Sequence, residues 1–287
     1  MIGIVGGTGL YDLELAARQW RRVDSPFGTP SDELLFGRLG DHDVVFLPRH
    51  GRGHRIPPNA IDYRANIDAL KRAGATRVIS MSAVGSLRAE LAPGTFVIVD
   101  QLIDRTPRAN KSFFGPGCVA HVALGHPTCR TIGGELAAIA GELGLPVAPR
   151  GTYVVMDGPQ FSTMAESEMH RMLGADVVGM TNMPEAKLAR EAELCYATVA
   201  MVTDFDCWHP DHDHVQLDHV IRVLRDNADR ARALVARAIP RVAALATPCP
   251  SGCDRALDNA IVTAAEARDA ALVAKLDAVA GRVLRRS

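Results

Sequence analysis

The sequence of 287 residues lacks an excess of either charge and lacks a long apolar run. Its 32 Lys and Arg residues balance 33 Asp and Glu residues, so it has no basic footprint for the phosphate backbone of nucleic acid. No apolar run approaches the ~20 residues that span a bilayer, and the first residues lack the pattern of a secretory signal. We therefore expect a cytoplasmic protein with neither a nucleic-acid partner nor a membrane association.

Cysteine is scarce, and its spacing predicts no disulfide framework. The six cysteines are scattered over a chain long enough to bury a core without covalent staples. Cys195 and Cys207 have apolar or aromatic neighbours, which predicts buried reduced thiols. Cys249 and Cys253, in a Pro-Cys-Pro-Ser-Gly-Cys segment, are compatible with a local bridge or with metal ligation. Because no second pair is evident that would complete a tetrahedral zinc set, we expect no metal ion.

Short β-branched runs alternate with helical patterns, which is typical of an α/β protein with a central sheet. Strands are predicted at residues 2–5, 44–47, 77–81, 96–99, 153–156, 177–178 and 196–202. Helices are predicted at residues 60–73, 130–143, 165–173, 184–193 and 214–239, with Pro240 ending the last. We expect a single domain over residues 1–246 and a C-terminal extension over 247–287, an Ala-rich helix that lies at a subunit interface.

Three segments that follow predicted strands carry groups suited to an anion. The first is Gly6-Gly-Thr-Gly9, which lacks the G-x-G-x-x-G spacing of a dinucleotide site. The second carries Arg49 and His50, and the third is a loop at 80–86 that carries Ser82. Any one of them is equally compatible with a glycine turn or a solvated loop. Since the ends of strands are where such sheets bind ligands, the three together favour a phosphate site.

The most apolar strand is followed by two carboxylates, Asp204 and Asp206. In an extended chain both point to one face, and two close carboxylates oppose simultaneous ionisation, so one is expected to hold a proton and act as an acid. The alternative is that the two carboxylates cap a loop or the start of a helix. The His and Asp residues between 209 and 219 are interpreted as solvated or capping groups at a helix start, and we expect no metal there.

Several of these motifs belong to one collinear set. The set comprises GGTGL (6–10), DSPFGTPS (24–31), RHGR (49–52), GSLR (85–88), DQLIDRT (100–106), GPQFS (158–162), GMT (179–181), PE (184–185) and TDFDCW (203–208). With this set of motifs the sequence resembles the trimeric purine nucleoside phosphorylase family, and within that family the branch that cleaves 5′-methylthioadenosine. The resemblance implies a nucleoside phosphorylase-like fold, in which helices flank a mixed central β-sheet.

The resemblance also implies the site residues. Phosphate is expected to bind Thr8, Arg49, His50, Ser82, Ala83 and Thr181. Base and ribose are expected to contact Phe161, Met180, Thr203, Asp204 and Asp206. The 5′-substituent is expected to lie on Leu217, Val220 and Ile221, with His121 reaching in from a neighbouring subunit of a homotrimer or a dimer of trimers. An alternative for the three apolar residues is that they belong to the core stripe of the last long helix.

The implied reaction is attack of inorganic phosphate, a cosubstrate, on C1′ while the purine leaves; no cofactor is expected. The departing purine gains negative charge toward N7, so it needs a hydrogen-bond donor, and Asp204 is the predicted acid. Asp206 is expected to accept a hydrogen bond from a 6-amino group, which favours adenine over a 6-oxo purine. The alternatives are a broader purine nucleoside phosphorylase acting on adenosine, inosine or methylthioinosine, a catalytically silent nucleoside-binding protein, and a metal-dependent hydrolase.

Overall fold

The computed structural model describes residues 1–7, 14–210 and 217–285, and it leaves out the side chain of His219. Two sequence predictions therefore fall outside the described residues: the position of Thr8, and the predicted helix start at residues 214–216 with the histidines beside it. No helix in the described ranges is long and apolar enough to cross a membrane.

A mixed sheet forms the centre of the described molecule. Its strands are β1 (Ile2–Gly6), β2 (Ala16–Arg21), β3 (Leu34–Leu39), β4 (His42–Pro48), β5 (Arg77–Ser86), β6 (Phe96–Asp104), β7 (Val147–Val155), β8 (Val177–Gly179) and β9 (Cys195–Asp204). They lie in the order β2-β3-β4-β1-β5-β8-β7-β6-β9, and β9 also pairs with β5, so that the last five strands close on themselves. Strands β4, β1, β5 and β9 form a parallel run, in which β1 pairs with β4 and β5, and β5 pairs with β9. The pairs β5 with β8 and β6 with β9 are antiparallel. The predicted mixed sheet is confirmed.

Two strands were not predicted, and one predicted loop is a strand. Strand β2 is polar and mostly exposed, and Gly37 interrupts the apolar pattern of β3, so neither shows the alternation that marks a half-buried strand. The segment 80–86 was predicted as a loop because it is rich in Ser and Gly. It instead continues β5, since its backbone pairs with β9 as far as Gly85.

Helices cover both faces of the sheet. They are α1 (Tyr63–Arg72), α2 (Arg130–Glu142), α3 (Met164–Met172), α4 (Asn182–Glu191), α5 (Leu217–Ala243), α6 (Ala270–Lys275) and α7 (Asp277–Leu284). Alternate residues of β1 show the division: Ile2 and Ile4 pack with α2 and α5, whereas Val5 packs with α1 and α4. Every predicted helix up to α5 exists within a few residues of its predicted bounds.

Pro240 does not end α5, contrary to the prediction. The helix continues to Ala243, and Pro240 lies exposed inside its last turns. Buried Ile239 and Val242 flank it on the core side. A proline on the exposed side costs one hydrogen bond of the helix, whereas continuing the helix buries Val242.

The C-terminal extension is not one long Ala-rich helix. Short 3-10 turns and the helices α6 and α7 replace it, and Leu276 and Val279 enter the same core as α1 and α4. Arg282 binds Glu193 at 2.5 Å and Asp258 at 2.6 Å. The monomer therefore offers the extension a surface on which to pack. A role for the extension at a subunit interface, and the division of the chain at residue 246, stay predictions.

The packing of the extension is tested by replacing Leu276, which is fully buried, with Ala. Loss of a buried leucine side chain costs about 2 to 5 kcal/mol in the free energy of unfolding. Val262, on the same extension, is 62% exposed. The control Val262→Ala should therefore change the free energy of unfolding by less than about 0.5 kcal/mol. Denaturant unfolding measures both, and equal effects of the two substitutions would show that the extension is not packed as described.

Candidate active site

The parallel strands bring the predicted anion-binding segments to one edge of the sheet. Gly6 pairs with Pro48, and its carbonyl accepts from the N–H of Arg49 at 2.9 Å, so the end of β1 lies beside Arg49 and His50. A Cβ placed on Gly7 would lie 4.0 Å from Cδ2 of His50. The second half of β5 pairs with the end of β9, which carries Thr203 and Asp204. The carboxyl ends of four neighbouring parallel strands therefore line one site, as the sequence predicted.

Arg49 forms a buried ion pair with Glu185 of α4. The guanidinium Nε lies 2.7 Å from one carboxylate oxygen and Nη2 lies 2.9 Å from the other, and both side chains are at most 3% exposed. Nη2 also donates to Oγ of Ser80 at 2.6 Å, and Nη1 donates to the carbonyl of Met81 at 2.9 Å. Four of the five N–H donors of a guanidinium are thereby used.

The pairing with Glu185 limits how Arg49 can bind an oxyanion. Glu185 occupies the Nε–Nη2 edge of the guanidinium, which is one of the two edges that can hold an oxyanion by parallel hydrogen bonds. One N–H of Nη1 remains for another acceptor. Burial alone would raise the pKa of Glu185, but the charge of Arg49 and the hydrogen bonds from Arg49, Tyr196 and Ser80 together outweigh it and hold the pKa below its usual value. Both partners therefore stay ionised, and Glu185 holds the Arg49 guanidinium in a fixed position close to the strand ends.

A buried hydrogen-bond network behind the ion pair was missed by the sequence analysis. The hydroxyl of Tyr196 donates to Glu185 at 2.8 Å and accepts from Asn182 at 2.5 Å and from Thr198 at 2.8 Å. These residues lie on β9 and at the start of α4. Only the Pro-Glu motif at 184–185 signalled this network, because polar residues inside apolar strands give no pattern that reveals their partners.

Three hydroxyl groups meet beside the ion pair. Oγ of Ser82 lies 3.1 Å from the hydroxyl of Tyr153 and 3.2 Å from Oγ1 of Thr181. Thr181 directly precedes α4, in which Met183 has an extended backbone, so the regular part of the helix begins at Pro184. Ser82 and Thr181 were predicted from the family resemblance, whereas Tyr153 was not. Ala83 follows Ser82 on β5, and its backbone N–H belongs to the same strand.

His50 lies at the same edge and is neutral at pH 7. Its Nδ1 lies 2.9 Å from the carbonyl oxygen of Ile56, which only accepts, so Nδ1 carries the proton and Nε2 is an acceptor. Burial and the charge of Arg49 lower the pKa of His50 to about 4. The ring also stacks on His54 with 4.2 Å between the ring centroids.

The two carboxylates at the end of β9 do not share a face of an extended strand. Strand β9 ends at Asp204, and Asp206 has a φ of 52°, outside the extended region. The two residues are joined instead by a turn in which the backbone N–H of Asp206 donates to Oδ1 of Asp204 at 2.8 Å. Thr203 donates to the other oxygen of Asp204 at 2.7 Å. Gly85 permits this approach, since a Cβ there would lie 2.8 Å from Oδ1 of Asp204.

Asp206 is buried, and among the described residues one of its carboxylate oxygens receives no hydrogen bond. It is 5% exposed, and its Oδ2 has no hydrogen-bond partner within residues 1–7, 14–210 and 217–285. Burial raises the pKa of Asp206, although Ser167 and Ser162 partly oppose the rise. An unpaired buried carboxylate oxygen costs free energy unless a donor arrives, which is typical of an atom that serves a ligand.

The loop that carries Phe161 contacts the residue after Asp206. Sγ of Cys207 donates to the carbonyl of Ser162, the residue after Phe161, at 3.4 Å. Phe161 is 43% exposed, which leaves its ring accessible to a flat ligand. Met180 follows β8, and its carbonyl accepts from Arg108 at 2.9 Å.

The start of α5 presents an uncovered apolar face. Val220 is buried, but Leu217 is 62% exposed and Ile221 is 38% exposed, so these two are not core residues as the alternative interpretation required. His121 is exposed in a distant part of the chain, where its backbone N–H donates to the carbonyl of Ala260 at 2.9 Å. Its contribution to a neighbouring active site stays a prediction.

In the described ranges, the candidate metal ligands that converge are four cysteines: Cys129, Cys195, Cys249 and Cys253. Cys195 is the first residue of β9 and Asp204 is the last. At about 3.3 Å per residue the cysteine cluster therefore lies about 30 Å from the carboxylates. The edge of the sheet at the carboxyl ends of the parallel strands carries the ion pair, the hydroxyl groups and the carboxylates. It is suited to bind an anion beside a second group that needs both a hydrogen-bond donor and a hydrogen-bond acceptor.

Comparison with known proteins shows the family of the chain. Residues 1–240 match the family model described as the phosphorylase superfamily. A protein of Bradyrhizobium diazoefficiens named S-methyl-5′-thioadenosine phosphorylase is 58% identical over 286 residues, which cover 99% of this chain and 98% of that protein. A protein of Rhodospirillum rubrum with the same name is 55% identical and covers 99% of this chain and 97% of its own length.

Solved structures extend the comparison to three dimensions. A methylthioadenosine phosphorylase from an Antarctic soil metagenomic library has a TM-score of 0.90 and 44% identity, covering 97% of this chain and 98% of its own. A variant of the adenosine/methylthioadenosine phosphorylase of Schistosoma mansoni, in complex with methylthioadenosine, has a TM-score of 0.84 and 37% identity, covering 93% and 98%. The nucleoside phosphorylase fold expected from the sequence is confirmed, and this chain belongs to the phosphorylase superfamily.

Proposed function

We propose that the chain catalyses the phosphorolysis of 5′-methylthioadenosine, releasing adenine and 5-methylthioribose 1-phosphate. The names of the relatives that match nearly the whole chain support this activity. The observation in this chain that carries the proposal is the unpaired Oδ2 of buried Asp206, beside Asp204 and at the same sheet edge as the hydroxyl groups of Ser82 and Thr181. A 6-aminopurine offers the donor that this oxygen lacks, whereas a 6-oxo purine does not.

The spacing of the two polar groups fits a nucleoside. Ser82 and Gly85 lie three residues apart on β5, and Gly85 pairs with Asp204. Three residues of a strand span about 10 Å. A phosphate at Ser82 and a purine at Asp204 are therefore separated by roughly the span of a ribose and part of a base.

The phosphate is assigned to Thr8, Arg49, His50, Ser82, Ala83 and Thr181. Arg49 offers its remaining N–H and its charge, while Glu185 holds the guanidinium in place. Ser82 and Thr181 donate their hydroxyl protons, since their present contacts to each other are exchangeable. Neutral His50 accepts, through Nε2, the proton of a phosphate O–H group. Together these groups orient one phosphate oxygen toward C1′.

The chemical step exchanges one bond for another at C1′. A phosphate oxygen bonds to C1′ as the bond from C1′ to N9 breaks, and the bonding electrons leave with the purine through an oxocarbenium-like state. Asp204 supplies a proton or a hydrogen bond at N7, where negative charge develops, and Asp206 accepts from the 6-amino group. The phosphate is consumed as a cosubstrate, and the proposal requires no organic cofactor.

Recognition of the remainder of the substrate is assigned to the apolar groups. Phe161 and Met180 pack on base and ribose together with Thr203, and the uncovered face of Leu217, Val220 and Ile221 receives the methylthio group. We further propose that the active enzyme is a homotrimer, or a dimer of trimers, in which His121 of one subunit completes the next site. A cytoplasmic location belongs to the same proposal.

The proposed activity is tested by measuring free base released from methylthioadenosine, adenosine, inosine and methylthioinosine, each with and without phosphate. We expect phosphate-dependent release of adenine, with the highest kcat/KM for methylthioadenosine. A similar kcat/KM for adenosine or inosine would favour the broader purine nucleoside phosphorylase. Release of base without phosphate would contradict the proposal.

The phosphate site is tested by the substitution Ser82→Ala. Loss of one hydrogen bond to a charged group costs about 1.5 to 3 kcal/mol, so KM for phosphate should rise about ten- to a hundredfold while KM for the nucleoside changes little. The hydroxyl of Ser86, on the same strand, bonds to the backbone of Arg88, and the Ser86→Ala variant serves as the control. Steady-state kinetics at varied phosphate measures both, and an unchanged phosphate KM in Ser82→Ala would remove Ser82 from the site.

The acid is tested by Asp204→Asn. The amide keeps the size of the side chain but supplies no transferable proton, so kcat should fall about 100-fold or more while the unfolding midpoint changes little. Single-turnover kinetics separates this loss from slow product release. A kcat near that of the unchanged enzyme would show that Asp204 is not the acid.

Base selectivity is tested by Asp206→Asn. An amide donates as well as accepts, so the ratio of kcat/KM for methylthioadenosine to that for methylthioinosine should fall by at least about tenfold. Glu166, an exposed carboxylate on neighbouring α3, provides the control Glu166→Gln, which should leave the ratio as it was. If the ratio is also unchanged in Asp206→Asn, Asp206 does not bind the 6-position.

A further inference from the structure

Four cysteines that are far apart in the sequence meet at one point in the core. Cys129 precedes α2, Cys195 begins β9, and Cys249 and Cys253 belong to the C-terminal extension. Their sulfur atoms all lie within 4.8 Å of one another, and none of the four residues is more than 6% exposed. All are free thiols. The second pair that the sequence analysis did not find is therefore supplied by the fold.

The distances between the sulfur atoms fit a tetrahedron around one small cation. Zn–S bonds of about 2.3 Å at tetrahedral angles place neighbouring sulfurs about 3.8 Å apart. Sγ of Cys129 lies 3.7 Å from Sγ of Cys249. A disulfide requires sulfurs about 2.05 Å apart, so Cys129 and Cys249 are in contact without being bonded to each other.

The backbone around the extension cysteines has the form of a ligand loop. Cys249 and Cys253 have three residues between them, within the spacing usual for zinc ligands. Gly252 has a φ of 70°, and its N–H donates to the carbonyl of Cys249 at 2.8 Å, which turns the chain so that both sulfurs face the same point. A carboxylate oxygen of Asp254 accepts from the N–H of Cys249 at 2.9 Å and fixes the turn.

The surroundings of the cluster favour thiolates. Cys129 is the residue before Arg130, the first residue of α2, so the N-terminus of that helix lies at the cluster. The buried cation Arg190 interacts electrostatically with Cys253. A helix N-terminus and a nearby cation both stabilise thiolates.

We propose that Cys129, Cys195, Cys249 and Cys253 bind one Zn²⁺ ion in a closed, structural site. Each sulfur binds as a thiolate, and the displaced thiol protons pass to solvent. With four protein ligands the ion has no open position for a substrate, in keeping with its distance of about 30 Å from Asp204 along β9. The ion joins α2 and β9 to the extension, and so fixes the segment that follows α5.

The first test is the metal content of the full-length protein, purified under reducing conditions and measured by elemental analysis. We expect about one zinc per chain. In the double variant Cys249→Ser with Cys253→Ser the content should fall at least about tenfold. The control is the double variant Cys118→Ser with Cys207→Ser, which removes two cysteines outside the cluster and should keep the zinc. Equal zinc in both variants would overturn the proposal.

A second measurement keeps the test valid if the cluster variant does not fold. The unchanged protein, stripped of metal with a chelator under reductant, is titrated with Zn²⁺ while thiol reactivity and thermal unfolding are followed. Uptake of one equivalent should protect four thiols and raise the unfolding temperature by several degrees. The proposal fails if zinc neither binds nor protects the thiols. It also fails if the mass of the purified protein shows that the four cysteines form disulfides.

Discussion

The buried ion pair between Arg49 and Glu185 is the constraint on which the phosphate end of the site depends. It links the end of β4 to α4, and through Ser80 and the carbonyl of Met81 it also holds β5. Removing one partner of such a pair costs about 3 to 5 kcal/mol, because the other charge stays buried without compensation. The pair thus fixes the relative positions of the elements that carry Ser82 and Thr181, and it leaves one guanidinium N–H of Arg49 as a donor at the site.

The sequence predicts the fold where local patterns are strong. The apolar strands β1, β4 and β9 and the helices up to α5 follow from periodicity and flanking residues. Strand β2 was missed because it is exposed, and the end of β5 because Ser and Gly inside a buried strand look like a loop. The end of α5 was misjudged because the burial of Val242 outweighs the local effect of Pro240.

Within the site, the sequence predicts which residues converge better than it predicts how they bond. Ser82 and Thr181 meet, and Asp204 and Asp206 share the end of β9. The partner of Arg49 was not foreseen, since it lies 136 residues away and only the fold brings it near. The four cysteines show the same principle. Spacing along the chain revealed Cys249 and Cys253, whereas the approach of Cys129 and Cys195 to them depends on tertiary structure.

The central claim is that Arg49 stays paired with Glu185 while the hydroxyl groups bind phosphate and the carboxylates bind a 6-aminopurine. A crystal structure of the protein with phosphate and adenine tests it most directly. We predict phosphate oxygens within hydrogen-bond distance of Ser82 and Thr181, N7 at Asp204 and the 6-amino group at Oδ2 of Asp206, with the ion pair intact. A phosphate held by two parallel hydrogen bonds from Arg49 with Glu185 displaced, or a purine bound away from Asp206, would contradict the account.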